Sequence, residues 1–212
     1  MKKIAKLLAV VVLCGIATEL YAQEYGIKAG LNLANIYSTL NGNVVSDNYE
    51  MNTGFHIGVT AEYPIAKSIS FETGLILSTK GYSIEEDGFL ADYSSKTNLY
   101  YLDIPLTVKA AHKIGGIKIY GNVGPYVGVG LSGKVSSDGN VLGISGSGES
   151  DVEWGDEGDF ERLDYGLTFG AGVGFGKFTL GASYELGLAD ISPSSYVETN
   201  NRVIAISLGY KF

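Results

Sequence analysis

The chain has 212 residues, 45% of them hydrophobic, with 30 Gly and only 4 Pro: enough for one domain, without collagen periodicity or a disordered composition. Its formal charge is −8, and removing an amino-terminal leader that carries Lys2, Lys3, Lys6 and Glu19 leaves 12 basic and 22 acidic residues, a net −10 that excludes nucleic acid as an expected partner. The single cysteine, Cys14, falls inside that leader, so the mature chain has no disulfide, thiol nucleophile or thiolate metal site.

Met1 to Ala22 reads as a secretory signal. It has a basic start, an apolar run from Leu7 to Leu13 extended by Cys14 to Ala17, and a small residue, Ala22, before Gln23. The run is too short to span a bilayer as a helix, and no later segment offers 18 apolar residues. Leu13 stands before Cys14 where a lipidation signal needs a small residue. The division expected is therefore a signal peptide over 1–22 and one β domain over 23–212.

From Tyr25 onward, eight segments alternate with period 2: roughly 25–37, 53–63, 69–81, 98–111, 117–131, 163–175, 178–188 and 202–212. Connections alternate too. Pro64–Ser68, His112–Gly116 and Gly176-Lys177 are tight, whereas 38–52, 82–97, 132–162 and 189–201 are long and polar. The last segment places Ile204, Ile206, Leu208, Tyr210 and Phe212 on one face and Val203, Ala205, Ser207, Gly209 and Lys211 on the other. That is the pattern of a strand with one face to lipid. Backbone groups in a bilayer must all be paired, so such a strand requires a closed barrel. The fold expected is all-β: an eight-stranded antiparallel up-and-down transmembrane β-barrel with short periplasmic turns and long extracellular loops. Tyr25, Tyr63, Phe71, Phe175, Phe178, Tyr210 and Phe212 would form an aromatic girdle at the periplasmic side, and Phe55, Tyr100 and Tyr165 a thinner outer one. Pro105 and Pro125 lie inside the fourth and fifth strands, and a bulge is expected near each.

Gly26-Ile27-Lys28-Ala29-Gly30-Leu31-Asn32, Tyr101-Leu102-Asp103-Ile104-Pro105-Leu106, Gly124-Pro125-Tyr126-Val127-Gly128 and the terminal Gly209-Tyr210-Lys211-Phe212 carry a family likeness. Over essentially the whole mature chain the sequence resembles the outer-membrane β-barrel domain family that includes PorT-like proteins of Gram-negative bacteria. The resemblance implies an outer-membrane location, and it implies that Phe212 is the assembly signal read by the barrel-assembly machinery. It supplies no catalytic motif and no cofactor. Outer-membrane lipid and a surface or secretion protein are the partners it suggests.

Functional chemistry is sparse. His56 points inward near the outer end of the second strand without an identifiable Ser motif, and His112 lies by a periplasmic turn, so neither is expected to be catalytic. The segment Gly133–Glu161 holds Asp138, Glu149, Asp151, Glu153, Asp156, Glu157, Asp159 and Glu161 against Lys134 alone. Five of these acids offer oxygen ligands, but without the ordered spacing of an EF-hand, so a solvated acidic loop is expected and no metal. Trp154 within it would cap a local cluster. The Gly-rich run from Gly139 to Gly148 lacks a Lys-Ser/Thr ending and reads as a flexible loop.

The lumen is where charge collects. Lys28, Glu62, Glu72, Lys109, Lys118, Glu185 and Lys211 project inward in this register, with Tyr101, Tyr120 and Tyr126, while Gly166, Gly170, Gly172 and Gly174 leave room for rings. An eight-stranded barrel is just wide enough for side chains to fill. A salt-bridged, plugged lumen is expected, giving a structural or surface-interacting protein and no enzyme. Porin-like transport of small solutes and service in secretion are the alternatives. A soluble lipocalin-type barrel would turn Lys28, Glu72, Lys109 and Glu185 outward and leave a membrane strand at the terminus unexplained.

Overall fold

The computed structural model describes residues 23–46, 49–87, 91–141, 144–155 and 157–212. The predicted signal, Met1 to Ala22 with Cys14, and Asp156 of the acidic segment lie outside them. Among the described residues ten strands run in chain order: β1 (Glu24–Leu40), β2 (Asn43–Val44), β3 (Asn52–Ala66), β4 (Ile69–Asp87), β5 (Ala91–Ile114), β6 (Ile117–Val141), β7 (Ile144–Asp151), β8 (Leu163–Phe175), β9 (Phe178–Gly187) and β10 (Val197–Lys211). Eight of them form the wall in the order β10-β9-β8-β6-β5-β4-β3-β1, and β10 pairs back onto β1 to close the ring. That closing ladder is antiparallel and runs from Gly26↔Lys211 to Leu40↔Val197. Each of the eight wall strands is hydrogen-bonded to a neighbour on both sides, which is what backbone in a bilayer requires.

Alternation sets the two faces. Ile204, Ile206 and Leu208 of β10 are exposed on the outside, as are Ile57 and Val59 of β3, while Val203, Ala205 and Ser207 are buried inside. Polar and charged side chains, among them His56, Lys80, Asp103, Lys109 and Asp164, are buried in the interior. A soluble barrel would have the reverse arrangement. At one end the wall turns tightly at 67–68, 115–116 and 176–177, with Gly115 (φ 61°) and Gly176 (φ 57°) supplying left-handed residues. Near this end Tyr63 meets Phe71, and Tyr210 stacks between Phe178 and Phe212 with ring centroids 5.2 and 5.7 Å apart.

The other end departs from the expected loops. The described residues of these segments, 82–87 and 91–97, and 132–141 and 144–151, are strand: the β4–β5 ladder continues to Asp87↔Asp92 and the β5–β6 ladder to Ala91↔Val141. β6 is 25 residues long, roughly 80 Å of strand, against a hydrocarbon layer of about 30 Å. It changes partner on the way. From Ile117 to Val129 it pairs with β8, and from Lys134 to Val141 it pairs with β7. The described residues of the Gly-rich run predicted as flexible, 139–141 and 144–148, are therefore paired strand, the ends of β6 and β7.

The expected bulges at the prolines are absent. On the β4–β5 ladder the pairs flanking Pro105 drop out between Thr73↔Leu106 and Ile76↔Asp103, but the register is the same on both sides. On β5–β6 the same holds between Pro105↔Tyr126 and Val108↔Val123, opposite Pro125. Each proline turns its missing N–H towards one neighbour, costing bonds without inserting a residue. The register shifts lie elsewhere, at Tyr100/Tyr101, where Leu131 of β6 is the extra residue, and between Pro64 and Ala66.

Candidate functional site

The interior is built in three storeys. Nearest the short turns, Glu62 of β3 is the hub: its carboxylate meets Lys211 at 2.6 Å, Lys109 at 3.2 Å and Lys118 at 3.6 Å, and accepts a hydrogen bond from Ser70 Oγ at 2.7 Å. Lys109 also pairs with Glu72 at 2.5 Å and lies 4.3 Å from the centre of the Tyr120 ring. Lys211 reaches Glu24 at 2.5 Å. Tyr120 lies over Gly172 and Gly181, where a Cβ would touch its hydroxyl. Of the seven lumen residues expected from sequence, Glu62, Glu72, Lys109, Lys118 and Lys211 are brought together here. Lys28 projects inward but makes no ion pair among the described residues. Glu185 belongs to a different group.

That group sits towards the long hairpins. Lys80 of β4 is fully buried and is ringed by Asp164 (2.9 Å), Asp103 (3.2 Å) and Glu185 (3.5 Å), with the Tyr126 ring at 4.3 Å and Tyr101 at 5.1 Å. Tyr126 Oη and Asn201 Nδ2 donate to the same Asp164 oxygen at 3.2 and 3.0 Å. Lys80, Asp103 and Asp164 were missed in the sequence, although each was signalled. Lys80 has the phase of inward Glu72, Asp103 that of Tyr101 and Lys109, and Asp164 that of the bare Gly166 and Gly170.

Between the two lies a polar row set by register. Ser207 of β10 is opposite Gly30 of β1, Gly30 is opposite His56 of β3, and His56 is opposite Ser78 of β4. A Cβ at Gly30 would come within 2.7 Å of His56 Cε1, so the bare glycine lets the imidazole lie across β1. His56 Nε2 then meets Ser207 Oγ at 2.9 Å, and Nδ1 meets Asn32 Oδ1 at 2.7 Å. His56 is thus not without a serine: the partner comes from the last strand, 151 residues away in sequence, and no local motif could announce it. A cavity of about 80 Å³ runs beside this row, lined among others by Lys28, Asn32, His56, Ser207, Glu185 and Lys211.

Above the Lys80 group an apolar cover closes the barrel. Val152, Leu99, Tyr101, Ala189 and Ile191 form a buried cluster, and Val135, Trp154 and Phe160 pack against it. Trp154 meets the Tyr101 ring edge-on at 5.5 Å, and it lies over Gly130, where any side chain would run into the indole. Backbone bonds pin the segment down: Gly130 N–H donates to Arg162 O at 2.7 Å, Val152 N–H to Gly133 O at 2.9 Å, and Glu161 N–H to Ile191 O at 2.9 Å. The acids Asp138, Glu149, Asp151, Glu153, Glu157 and Asp159 face solvent around it. The segment predicted as a solvated acidic loop is solvated at its carboxylates and packed at its apolar residues. His112 is exposed near the end of β5. Among the described residues no three His, Cys, Asp or Glu side chains are placed to hold a metal ion.

In sequence, the model of the outer membrane protein beta-barrel domain family matches residues 21–192. No curated protein matches the chain. Among solved structures the chain is similar to Ail, the attachment invasion locus protein of Yersinia pestis, at 18% identity over 89% of this chain and 98% of that one, with a TM-score of 0.34. OprG of Pseudomonas aeruginosa is similar at 16% identity over 90% and 96%, with a TM-score of 0.47. Neisserial surface protein A is similar at 13% identity over 90% and 99%, with a TM-score of 0.42.

Proposed function

Because the chain belongs to the outer membrane protein β-barrel domain family, and is an outer-membrane protein, we propose that its long hairpins lie outside the cell, that it conducts no solutes, and that it works through the sheet those hairpins raise above the membrane. The observation that carries this reading is the double closure of the lumen. The cover of Val152, Trp154 and Ile191 shuts the outer mouth, and the fully buried Lys80 with its three carboxylates fills the bore beneath it. A charge held in so narrow a space needs its partners in place, so the group resists the separation that a permeating ion would impose.

What remains available for interaction is outside. β4, β5 and β6 continue past the wall and, with β7 paired to β6, form one antiparallel sheet bearing Asp138, Glu149 and Asp151. A surface or secretion protein meeting that sheet is the partner class that suits it, with the barrel anchored in outer-membrane lipid and assembled by the barrel-assembly machinery.

Planar bilayers separate this reading from transport. Purified protein should insert without steady conductance steps, while stable channels of large conductance would overturn it in favour of solute passage. Crosslinking on intact cells should capture a partner with the full-length chain and lose it when 134–151 is replaced by a short turn.

A further inference from the structure

Ser207, His56 and Asn32 are arranged in an order that has chemical meaning. The Asn32 amide nitrogen donates to Ser78 Oγ at 2.9 Å, Thr79 O at 3.0 Å and Phe55 O at 3.3 Å. Two of those acceptors are backbone carbonyls, so the amide cannot be turned over, and Oδ1 must face His56. Nδ1 of the imidazole therefore carries the proton and donates to Oδ1. Nε2 is left with its lone pair, and Ser207 O–H is the donor that meets it. A serine hydroxyl aimed at an imidazole lone pair, with the far side of the ring held by a fixed acceptor, is the geometry that activates a nucleophile.

The surroundings go beyond what a merely satisfied polar core requires. Ser207, His56 and Asn32 all border the cavity of about 80 Å³, which continues to Lys211, whose side chain is 20% exposed near the short-turn end of the barrel. Lys28 borders the same space and has no carboxylate on it among the described residues. An ammonium lining the same cavity as the hydroxyl supplies positive charge to a space where an oxyanion would form. The Gly30 gap, which alone lets the ring reach across β1, belongs to the same construction.

We propose that Ser207 is a nucleophile, with His56 as its general base and Asn32 as the residue that positions the base, and that this lumen triad accepts short acyl esters entering from the periplasmic end. The cavity limits the acyl part to roughly the size of an acetyl or propionyl group. Ser207 Oγ bonds to the ester carbonyl carbon as its proton passes to His56 Nε2. The carbon–oxygen bond to the alcohol then breaks, and the alcohol leaves with that proton. Water attacks the acyl-serine by the same route, releasing the acid and restoring Ser207. No oxidant, reductant or metal enters the balance.

Methanesulfonyl fluoride is small enough to test this on the whole mature chain, folded in detergent. Its sulfur bonds to Ser207 Oγ, the sulfur–fluorine bond breaks, the proton goes to His56 and fluoride leaves. Tandem mass spectrometry should find one methanesulfonyl group on Ser207 of the folded barrel and none on Ser78, which is also buried and opposite His56 in register but makes its hydrogen bond with Asn32 rather than with the imidazole. His56→Gln should slow the labelling by about a hundredfold or more. Methyl acetate should be hydrolysed by the native chain and not by Ser207→Ala, with folding of every variant checked by gel mobility before and after boiling. Where His56→Gln fails to fold, the comparison of Ser207 with Ser78 within the native chain decides. Labelling that appears only after unfolding, equal labelling of the two serines, or labelling without ester turnover would overturn the proposal.

Discussion

Lys80 on β4 and Asp164 on β8 meet inside the barrel at 2.9 Å with neither side chain exposed to solvent. Asp103 and Glu185 complete the ring around the ammonium, so three carboxylates from three more strands converge on one cation. Removing the cation leaves those carboxylates in a dry space facing one another. Lys80→Met should therefore destabilise the barrel by about 3–5 kcal/mol, read as a lower unfolding midpoint in urea by tryptophan fluorescence. A midpoint unchanged from the native chain would mean that the ring contributes no stability.

Trp154 should act as the cover's keystone. Trp154→Ala withdraws the indole from Tyr101, Phe160 and the bare surface at Gly130. The expected loss is roughly 2 kcal/mol, concentrated in local opening of 152–162. Hydrogen exchange should show faster exchange at Val152 and Glu161, whose N–H groups are bonded to Gly133 and Ile191, while the β1–β10 ladder keeps its protection. Equal acceleration throughout the barrel would contradict a separable cover.

Protease added to intact cells should distinguish the two parts of the acidic segment. Cleavage is expected in the β6–β7 hairpin near Asn140 and Ser145, where both strands are at the end of their ladder. The two ends of the cover, at Val152 and at Glu161 and Arg162, should be spared, because their backbone groups are bonded to Gly133, Ile191 and Gly130. Cuts that appear only after the cells are opened would reverse the topology.

The alternation of lipid-facing and lumen-facing residues made the wall legible, including the inward phase of Glu62, Lys109 and Lys211. It failed above the membrane for a physical reason. Where both faces of a strand meet water or a polar neighbour, as in Ser94 to Thr97 or Ser136 to Asn140, no contrast separates odd from even positions and the stretch looks like a loop. Lys80 was lost at that border, since Thr79, Lys80 and Gly81 suggest a strand ending when the ladder in fact continues to Asp87. The pairing of His56 with Ser207 depended on closure of the first strand with the last, a long-range fact that local pattern does not contain.

Phe212 is expected to matter for assembly more than for stability. Its ring is exposed beside Tyr210, and its N–H donates to Tyr25 O at 2.9 Å. Deleting it removes one backbone bond at the seam and one girdle ring. The amount of folded protein recovered in outer membranes should fall several-fold, while protein refolded in detergent should unfold within about 1 kcal/mol of the native chain. Normal recovery in cells would argue against an assembly signal at this position.

β6 crosses the wall and runs on into the outer sheet as a single strand, Ile117 to Val141, with Leu131 as its one extra residue against β5. The outer hairpin therefore has no joint of its own at the membrane surface. From Leu131 to Val141 the strand spans roughly 33 Å, bonded to β5 along the way, so whatever is held at its tip is held at a set standoff from the bilayer. The barrel is in this sense the foot of a spacer, and the length of β6 is the dimension that lengthening or shortening the hairpin would change.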